Sequence, residues 1–510
     1  MKEKYQDLKY IGISALIGIF TGIVISAFRI LIEKGITLST STYQYVIQHA
    51  SWLLVVIPAL IIIGTIVGLL VKSYPSISGS GIPQVEAQLA GNYEMNWWSV
   101  LWRKFIAGVL TDGTGVFMGR EGPSIQLGSA VGQGIAQGFH QHGTNRRLLI
   151  ASGAAAGLSA TFSAPLAGTL LVMEGIYHGF QPRVWMTALT GALTANFISF
   201  NVFGLKVILP ITYQYVFQPL DYWKLIPLGL IVGGLGYLYN QMLLKVPLWF
   251  AKIKIIPWYL LGIIPMLLMI PVGGLFAETI GGGSELIMLI AQHQVAVTML
   301  FFYLALRVIL GLMAYGTGIP GGFFMPVLTV GALIGMIYGV EITQFGLLSS
   351  NYTLNLLVFG MAGFFTAVSK APLTSIILIT ELVGSTHNFM ALTIVVLVAY
   401  LVADALGGLP IYQALAARIT KIKKYQNSNQ PTDEIELAVY PFSKVANELV
   451  KKINWPEDTI LISINRGNQV IIPNGKTRIK VGDTLTVLVH SDNYGYSYQS
   501  LQNLTIKYDD

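Results

Sequence analysis

The sequence predicts an all-α integral membrane protein followed by a small cytoplasmic α+β domain. Of its 510 residues, 54% are hydrophobic and only 11% are charged, which is more apolar surface than the core of a soluble protein could bury. Mostly apolar stretches, close to the roughly 20 residues that cross a bilayer as a helix, recur along the chain. They are residues 11–32, 53–71, 225–244, 255–272, 297–314 and 392–406.

Lysines at both ends of the apolar region predict its orientation. Positive charge favours the inner side of a membrane, so we expect a multi-pass protein of the cell membrane with both termini in the cytoplasm. The net charge of +7 then needs no nucleic-acid partner. The first apolar stretch is too long for a signal-peptide core, and we expect it to be retained. The lysines are Lys2, Lys4, Lys9, Lys421, Lys423 and Lys424.

Four segments rich in Gly, Ala, Ser and Pro predict short, tilted or half-length helices. They are residues 79–90, 123–139, 148–175 and 321–340. Broken backbone is tolerated at membrane depth only where it is buried in protein or lines an aqueous path. This pattern is typical of transporters and channels, in which half-helix ends face a site near the middle of the membrane.

Two matched blocks indicate an internal duplication of the membrane part. Pro123 is followed by glycines five and nine residues later, and Pro326 is followed by glycines at the same offsets. Farther along, an Ala-Pro-Leu triplet precedes a glutamate in both blocks, with nine residues from proline to glutamate. Blocks repeated in the same order predict two related halves. The second pairs are Pro165 with Glu174 and Pro372 with Glu381.

Three glycine-rich motifs each join a loop to a predicted helix start. They are GSGIP at 79–83, GREGP at 119–123 and GGFFMP at 321–326. A helix start has unpaired N–H groups and about half a positive charge, so several meeting in a membrane would form an anion site. Any one motif could equally mark a turn or close helix packing. Their number and the duplication favour the anion site.

These motifs, in this order, resemble the signature of the CLC family of chloride channels and proton-coupled chloride exchangers. The resemblance covers residues 10–420. It implies a helical bundle of two inverted repeats with short broken helices, assembled as a homodimer in which each subunit has its own pore. The substrates implied are chloride and protons, with no cofactor.

The resemblance also implies roles for individual residues. Ser80 and the neighbouring amides resemble the group that holds the central chloride. Phe323 and Phe324 resemble the pair whose backbone N–H groups donate to the same ion. Tyr412 resembles the tyrosine whose hydroxyl completes the site. Glu121 resembles the gating glutamate, which blocks the path when ionised and leaves it when protonated. The anion-binding residues expected are Ser80, Gly81, Ile82, Phe323, Phe324, Tyr412, Arg120 and Gly122, and no metal site is expected.

One departure from the family pattern leaves the transport mode open. Family exchangers usually end the segment after A-P-L-A-G with two acidic residues, the second of which relays protons on the inner side. Here Glu174 occupies the first position and Gly175 the second. The leading prediction is a chloride/proton exchanger in which water or another residue such as His178 serves as relay, and the alternative is a passive or loosely coupled chloride channel. A fluoride exporter is disfavoured, because that branch departs from the serine and GREGP patterns kept here.

The C-terminal tail predicts a separate domain. We expect a membrane domain over residues 1–424, a linker over 425–433 and a soluble domain over 434–510, in which a strand, a helix at 443–453 and a hairpin around Arg466-Gly467-Asn468 follow each other. The tail resembles the RCK-C type of regulatory domain. It implies either an unidentified small ligand or a stabilising cap without one.

Other function classes lack the residues they need. There is no cysteine, which excludes disulfides and thiolate catalysis, and there is no H-E-x-x-H or G-x-S-x-G motif, so we expect no enzymatic activity. A potassium pore needs a filter such as T-V-G-Y-G. The most similar segment, MAYGTGIPGG at 313–322, leads into a predicted helix start, and a helix start binds anions better than cations.

Overall fold

The computed structural model describes residues 2–177, 181–205, 207–212, 215–419, 432–467, 469–490 and 494–505. His178, a candidate proton relay, lies outside them. Helices α1 to α17 precede residue 420. They are α1 (Lys2–Gln48), α2 (Leu53–Ser73), α3 (Ile82–Leu89), α4 (Trp97–Gly113), α5 (Glu121–Gly138), α6 (Gly143–Phe162), α7 (Pro165–Leu170), α8 (Pro182–Phe203), α9 (Leu225–Phe250), α10 (Ile263–Leu275), α11 (Ser284–Gln292), α12 (Val297–Gly316), α13 (Phe324–Gln344), α14 (Thr353–Ser369), α15 (Pro372–Val383), α16 (Phe389–Ala405) and α17 (Ile411–Ile419).

The predicted apolar stretches fall on helices α1, α2, α9, α10, α12 and α16. Within the described residues, seven helical segments are long and apolar enough to cross a membrane. The stretch 255–272 is only partly one helix, because α10 begins at Ile263 after a 3-10 turn at Trp258–Leu260. The chain therefore forms a multi-pass helical membrane protein, as its composition predicts.

The prediction of short or broken helices is right for two of the four segments and wrong for the other two, since 123–139 falls on the unbroken 18-residue helix α5. Helix α3 has only eight residues, and the segment 148–175 breaks between α6 and α7, continuing as a π-helical turn at Leu171–Ile176. The segment 321–340, however, forms the 21-residue helix α13. Its glycines pack instead of breaking the helix: a Cβ at Gly331 would lie 2.6 Å from the carbonyl oxygen of Gly360 on α14.

The duplicated glycines serve the same packing in both repeats. On α5, a Cβ at Gly132 would lie 2.4 Å from the carbonyl oxygen of Leu149 on α6, and on α13 a Cβ at the equivalent Gly335 would lie 2.2 Å from that of Leu356 on α14. Only a residue without a side chain allows two helix backbones to approach this closely. The shared spacing thus reflects a helix pair that occurs twice.

The two repeats run in opposite directions where they meet. Gly119 and Gly322, which hold the same position four residues before Pro123 and Pro326, form an antiparallel bridge. Each donates its N–H to the other's carbonyl, both at 2.7 Å. Equivalent residues that pair antiparallel are related by a local twofold axis, as inverted halves require.

The two repeated glutamates hold the halves together reciprocally. Glu174 accepts hydrogen bonds from the backbone N–H groups of Leu373 and Thr374 at the start of α15, at 3.0 and 2.6 Å. Glu381, in turn, accepts from Leu166 and Ala167 at the start of α7, at 3.1 and 2.8 Å. Each carboxylate thereby satisfies orphan donors at the helix start of the other repeat, which gives Glu174 and Glu381 a structural role.

A second compact unit comprises residues 87–94, 136–147 and the chain from 417 onward. Its sheet has the order β1-β4-β2-β3, with every neighbouring pair antiparallel. Alternate residues of β1 and β4 fill a core with Val445, Ile464, Ile479 and Leu501. The elements are β1 (Thr432–Ala438), β2 (Thr459–Arg466), β3 (Gln469–Ile471), β4 (Thr484–His490) and α18 (Tyr494–Thr505).

The tail confirms the predicted hairpin and corrects the predicted helix. Strands β2 and β3 pair around Gly467, but residues 443–453 form turns and a 3-10 turn at Val450–Lys452. Their backbone groups bond to the segment 475–479 instead of along a helix, as in the 2.9 Å bond from Asn447 N–H to Ile479 O. Most of the predicted linker 425–433 lies outside the described residues, and β1 begins at Thr432.

An ion pair ties the parts of this second unit together. Arg147 Nη2 lies 2.9 Å from Asp433 Oδ2, and both side chains are nearly buried. Asp433 also accepts from the backbone N–H of Thr144, at 3.1 Å, in the first turn of α6. The Arg147 guanidinium lies 3.6 Å above the ring of Tyr494 in α18. Residues 136–147 and the tail therefore share a charged and aromatic contact.

Candidate functional site

The three glycine-rich motifs meet at one place. The N–H of Gly79 donates to Gly318 O at 3.3 Å, and that of Gly321 donates to Gly79 O at 3.1 Å. Gly79 has a φ of 63°, a conformation that glycine adopts without strain. A Cβ at Gly122 would lie 2.7 Å from Ser80 O. The motifs therefore bring the starts of α3, α5 and α13 together, as the sequence predicts.

Ser80 lies buried just before α3. Its hydroxyl accepts a long bond, 3.4 Å, from the N–H of Ile82, the first residue of that helix. Gly81 is packed against Gln126 of α5, so a side chain there would meet the amide. The hydroxyl proton of Ser80 remains available as a donor, and it lies beside the N–H groups of a helix start.

Phe323, Phe324 and Tyr412 form the other side of the site. The rings of Phe323 and Tyr412 stack, with centroids 5.5 Å apart and planes 20° apart. Tyr412 is only 1% exposed, and its hydroxyl has no hydrogen-bond partner within the described residues. A buried hydroxyl normally has a partner, so this one is an available donor.

A buried amide fixes the start of the helix that carries Tyr412. Asn240 Nδ2 on α9 donates to the carbonyls of Val368 and Leu409, both at 2.9 Å. Leu409 lies just before α17. This side chain therefore anchors the tyrosine's helix to α9 and to the end of α14.

Glu121 is the first residue of α5 and is 4% exposed. Its carboxylate interacts with its own backbone N–H and with that of Met325, in the first turn of α13. The second oxygen, Oε2, has no partner within the described residues. The carboxylate thus occupies a position between two helix starts, where an anion is stabilised.

Arg120 is paired with a glutamate on α1. Its Nη1 lies 2.8 Å from Glu33 Oε1 on α1, and Arg29 Nε lies 2.9 Å from the same oxygen. Adjacent residues at a helix start point in different directions. The arginine therefore anchors the motif to α1 and contributes positive potential at a distance, and its inclusion among the anion-binding residues stays a prediction.

Two buried cations near the helix starts were not predicted from the sequence. Lys104 Nζ donates to the carbonyls of Ile77 and Gly79, at 2.8 and 2.6 Å. Arg307 Nη1 donates to those of Thr279 and Gly281, at 2.8 and 2.7 Å. Lys104 precedes Pro123 by nineteen residues, and Arg307 precedes Pro326 by the same number. This shared offset was the signal that could have found them.

The expected inner proton position is apolar in this chain. Gly175 lies in the π-helical turn after α7, and a Cβ there would contact Leu171 at 3.2 Å and Ala371 at 4.0 Å. Its neighbour Glu174 is engaged with the start of α15. Neither residue therefore supplies a free carboxyl group at this place.

A cavity adjoins Glu121. It is lined by charged groups from α1, α4, α5 and α11 together with apolar residues such as Met118, Phe162 and Ile280. Among the charged lining residues, Glu33 and Glu285 are exposed, whereas Asp112 and Glu121 are buried. The charged residues are Glu33, Asp112, Arg120, Glu121 and Glu285.

Comparison with known families agrees with the two-part organisation. Residues 63–404 match the family described as voltage gated chloride channel. Residues 435–496 match the TrkA-C domain.

Several curated relatives and solved structures are similar to this chain. The H(+)/Cl(-) exchange transporter ClcA of Salmonella typhimurium is 31% identical over 451 residues, which is 85% of this chain and 94% of the relative. The protein of the same name from Yersinia pestis is 31% identical over 426 residues, 79% of this chain and 86% of the relative. A slow cyanobacterial Cl-/H+ antiporter has 30% identity and a TM-score of 0.74, covering 80% of this chain and 97% of that one. A CLC-type fluoride/proton antiporter shares the fold, with 21% identity and a TM-score of 0.64 over 79% of this chain and 97% of that one.

Proposed function

Because the chain belongs to the voltage-gated chloride channel family, we propose that it exchanges chloride for protons across the membrane. The observation that carries this proposal is the Glu121 carboxylate, held at the starts of α5 and α13. It is an anion in a position suited to anions, and it can lose its charge by taking a proton. One residue can then serve both substrates.

The proposed chloride site lies among the starts of α3 and α13 and the hydroxyl of Tyr412. Ser80, with the amides of Gly81 and Ile82, donates from one side, and the backbone of Phe323 and Phe324 from the other. A hydrogen bond to a charged group contributes about 1.5–3 kcal/mol, whereas burying an ion costs tens by Born estimates. A few neutral donors therefore offset only part of that cost, which leaves chloride free to depart.

Glu121 is proposed to couple the two substrates by competition. While ionised, its carboxylate occupies an anion position and excludes chloride from it. When protonated, it no longer competes for the N–H groups, leaves, and carries the proton with it. Chloride then enters the position from which the side chain departed, and the two substrates move in opposite directions.

A passive or loosely coupled chloride channel is the second candidate, and the apolar surroundings of Gly175 favour it. Purified protein in liposomes with an imposed chloride gradient and no proton gradient distinguishes the two. An exchanger moves protons, and so builds up a proton gradient, while chloride moves down its own gradient. A channel moves chloride alone, and chloride movement without proton movement would contradict the exchanger proposal. Empty liposomes with a protonophore measure the leak.

The remaining proposals concern assembly and the tail. We propose a homodimer with one pore per subunit, with the termini in the cytoplasm. The transport domain would end before residue 425, and the chain from Thr432, where β1 begins, would form a tail domain that either responds to an unidentified small ligand or acts as a stabilising cap without one. Counting subunits by cross-linking in membranes, and labelling single cysteines introduced near each end from either side, tests assembly and orientation.

A further inference from the structure

Asp112 is a buried carboxyl group that the exchange described above does not use. It lies in the last turn of α4 and is 2% exposed. Neither of its carboxyl oxygens has a hydrogen-bond partner within the described residues. A buried carboxyl group without donors is tolerated when it carries a proton or when a cation offsets its charge.

The cations nearest Asp112 are committed elsewhere. Lys104 lies eight residues earlier on α4, about 12 Å along the helix at 1.5 Å per residue, and its ammonium donates to Ile77 O and Gly79 O. Arg120 is paired with Glu33. Both act on Asp112 only through space, so a bound proton remains the direct way to neutralise this group.

Asp112 shares the cavity with Glu121. The other charged groups that line it are Arg120, Glu33 and Glu285. Glu33 and Glu285 are exposed, whereas Asp112 and Glu121 are buried. The cavity therefore leads from the surface of the protein to two buried carboxyl groups that come from different helices.

The internal repeat indicates that this position faces the transport region in both halves. Asp112 precedes Pro123 by eleven residues, and Tyr315 precedes Pro326 by the same number. The ring of Tyr315 packs edge-on against Phe323, with centroids 5.1 Å apart. The repeat thus carries a group that can hold a proton at the end of α4 and at the end of α12.

We propose that Asp112 is a second proton-carrying residue, which passes protons between the water of the cavity and Glu121. Protonated Asp112 gives its proton, through water, to the Glu121 carboxylate and is left as a carboxylate. It regains a proton from the cavity water, and the reverse sequence releases one. This inference rests on the proposed proton coupling and adds to it a second protonatable residue beside Glu121.

The test compares variants in liposomes with chloride and proton electrodes read together. In Asp112→Asn, which keeps the shape and cannot relay a proton, we expect proton movement and the chloride movement coupled to it to fall at least about tenfold. Asp112→Glu should restore most of both. Glu285→Gln, a change at the exposed mouth of the same cavity, should leave both within about twofold, since it removes no buried relay.

The Glu121→Gln background separates a proton role from a structural one. Chloride movement there no longer needs protons, so adding Asp112→Asn should leave the rate unchanged. An equal slowing in that background, or wild-type proton movement in Asp112→Asn alone, would overturn the inference while leaving the exchange intact. Absence of proton movement in the wild type would instead overturn the proposed function, and this inference with it.

Discussion

Single residues at the proposed chloride site offer hydrogen bonds without full charge. The hydroxyls of Ser80 and Tyr412 are neutral donors. The buried cations Lys104 and Arg307 donate their hydrogen bonds to backbone carbonyls. A cation in direct contact would hold chloride far more tightly, because Coulomb attraction strengthens in a low dielectric. Cations that contact the backbone around the site, and not the anion itself, lower the electrostatic cost of burying the anion and still allow its release.

Removing the two hydroxyls tests the chloride site. Ser80→Ala and Tyr412→Phe should each weaken chloride binding about tenfold, because a hydrogen bond to a charged group contributes about 1.5–3 kcal/mol. Tyr412→Phe keeps the stacking on Phe323, so the loss is that of the hydroxyl alone. Isothermal titration calorimetry of the detergent-solubilised protein measures the affinity. Tyr45→Phe, on the exposed side of α1, is the control, and wild-type affinity in both site variants would count against the site.

Sequence reasoning found the residues that stand in motifs and missed those that do not. Ser80, Glu121, Phe323 and Phe324 lie beside Gly and Pro residues whose spacing predicts helix starts, and the structure brings those starts together. Lys104 lies on α4, outside the three glycine-rich motifs. Nothing local shows that its ammonium reaches two carbonyls, since those belong to a loop that only the tertiary structure brings near.

At the scale of elements, carboxylates at helix starts are used in two ways. Glu174 and Glu381 each have two backbone donors in the opposite repeat and so act as fixed caps. Glu121 keeps one oxygen without a partner and lies beside a cavity. The same attraction between a carboxylate and a helix start thus fixes Glu174 and Glu381 permanently, whereas it holds Glu121 in a position that its side chain can leave.

Replacing a fixed cap should lower stability. Glu174→Ala and Glu381→Ala should each reduce the free energy of unfolding by about 0.5–2 kcal/mol, since each leaves two N–H groups at a helix start without their acceptor. Thermal unfolding in detergent, followed by circular dichroism, measures the loss. Glu341→Ala on α13 is the matched control, because its carboxylate has no hydrogen bond or ion pair among the residues that the structure describes. Equal melting temperatures for all three variants would refute the capping role.

Two elements show why periodicity alone misleads. The glycines of 321–340 predict a broken helix, yet they allow α13 to pack closely on α14. The spacing of Val445, Leu449 and Ile453 predicts a helix, yet the backbone there bonds to residues 475–479. In both cases the local structure depends on a contacting segment that is distant in sequence, and the local sequence pattern carries no information about that segment.

For the whole molecule, the tail offers a pH-dependent stability that is separate from transport. Burial raises the pKa of Asp483, but hydrogen bonds from Arg466 and from the N–H of Lys480 outweigh it, so the pKa lies below its ordinary value of about 3.9. A lowered pKa means that the ionised form stabilises the folded state. This contribution is full above the ordinary value and is lost as the pH falls through the folded value.

Asp483→Asn should therefore destabilise the tail at pH 7 and have less effect in acid. At pH 7, hydrogen exchange of the β2 and β4 peptides in the full-length variant should be faster than in the wild type. The difference should shrink as the pH falls below the ordinary carboxyl pKa of about 3.9, because the stabilisation by the ionised form is then progressively lost. Asp458→Asn, near the start of β2, is the control. A difference that is constant with pH would contradict the assignment.

The central claim is that one carboxylate, Glu121, serves as gate and proton carrier at the junction of two inverted halves. Simultaneous chloride and proton recordings from Glu121→Gln in liposomes test it most directly, with Glu285→Gln as control. We expect chloride movement that no longer depends on pH and proton movement at the level of empty liposomes, because the amide cannot ionise or carry a proton. Proton movement against its gradient at the wild-type rate in Glu121→Gln would contradict the claim.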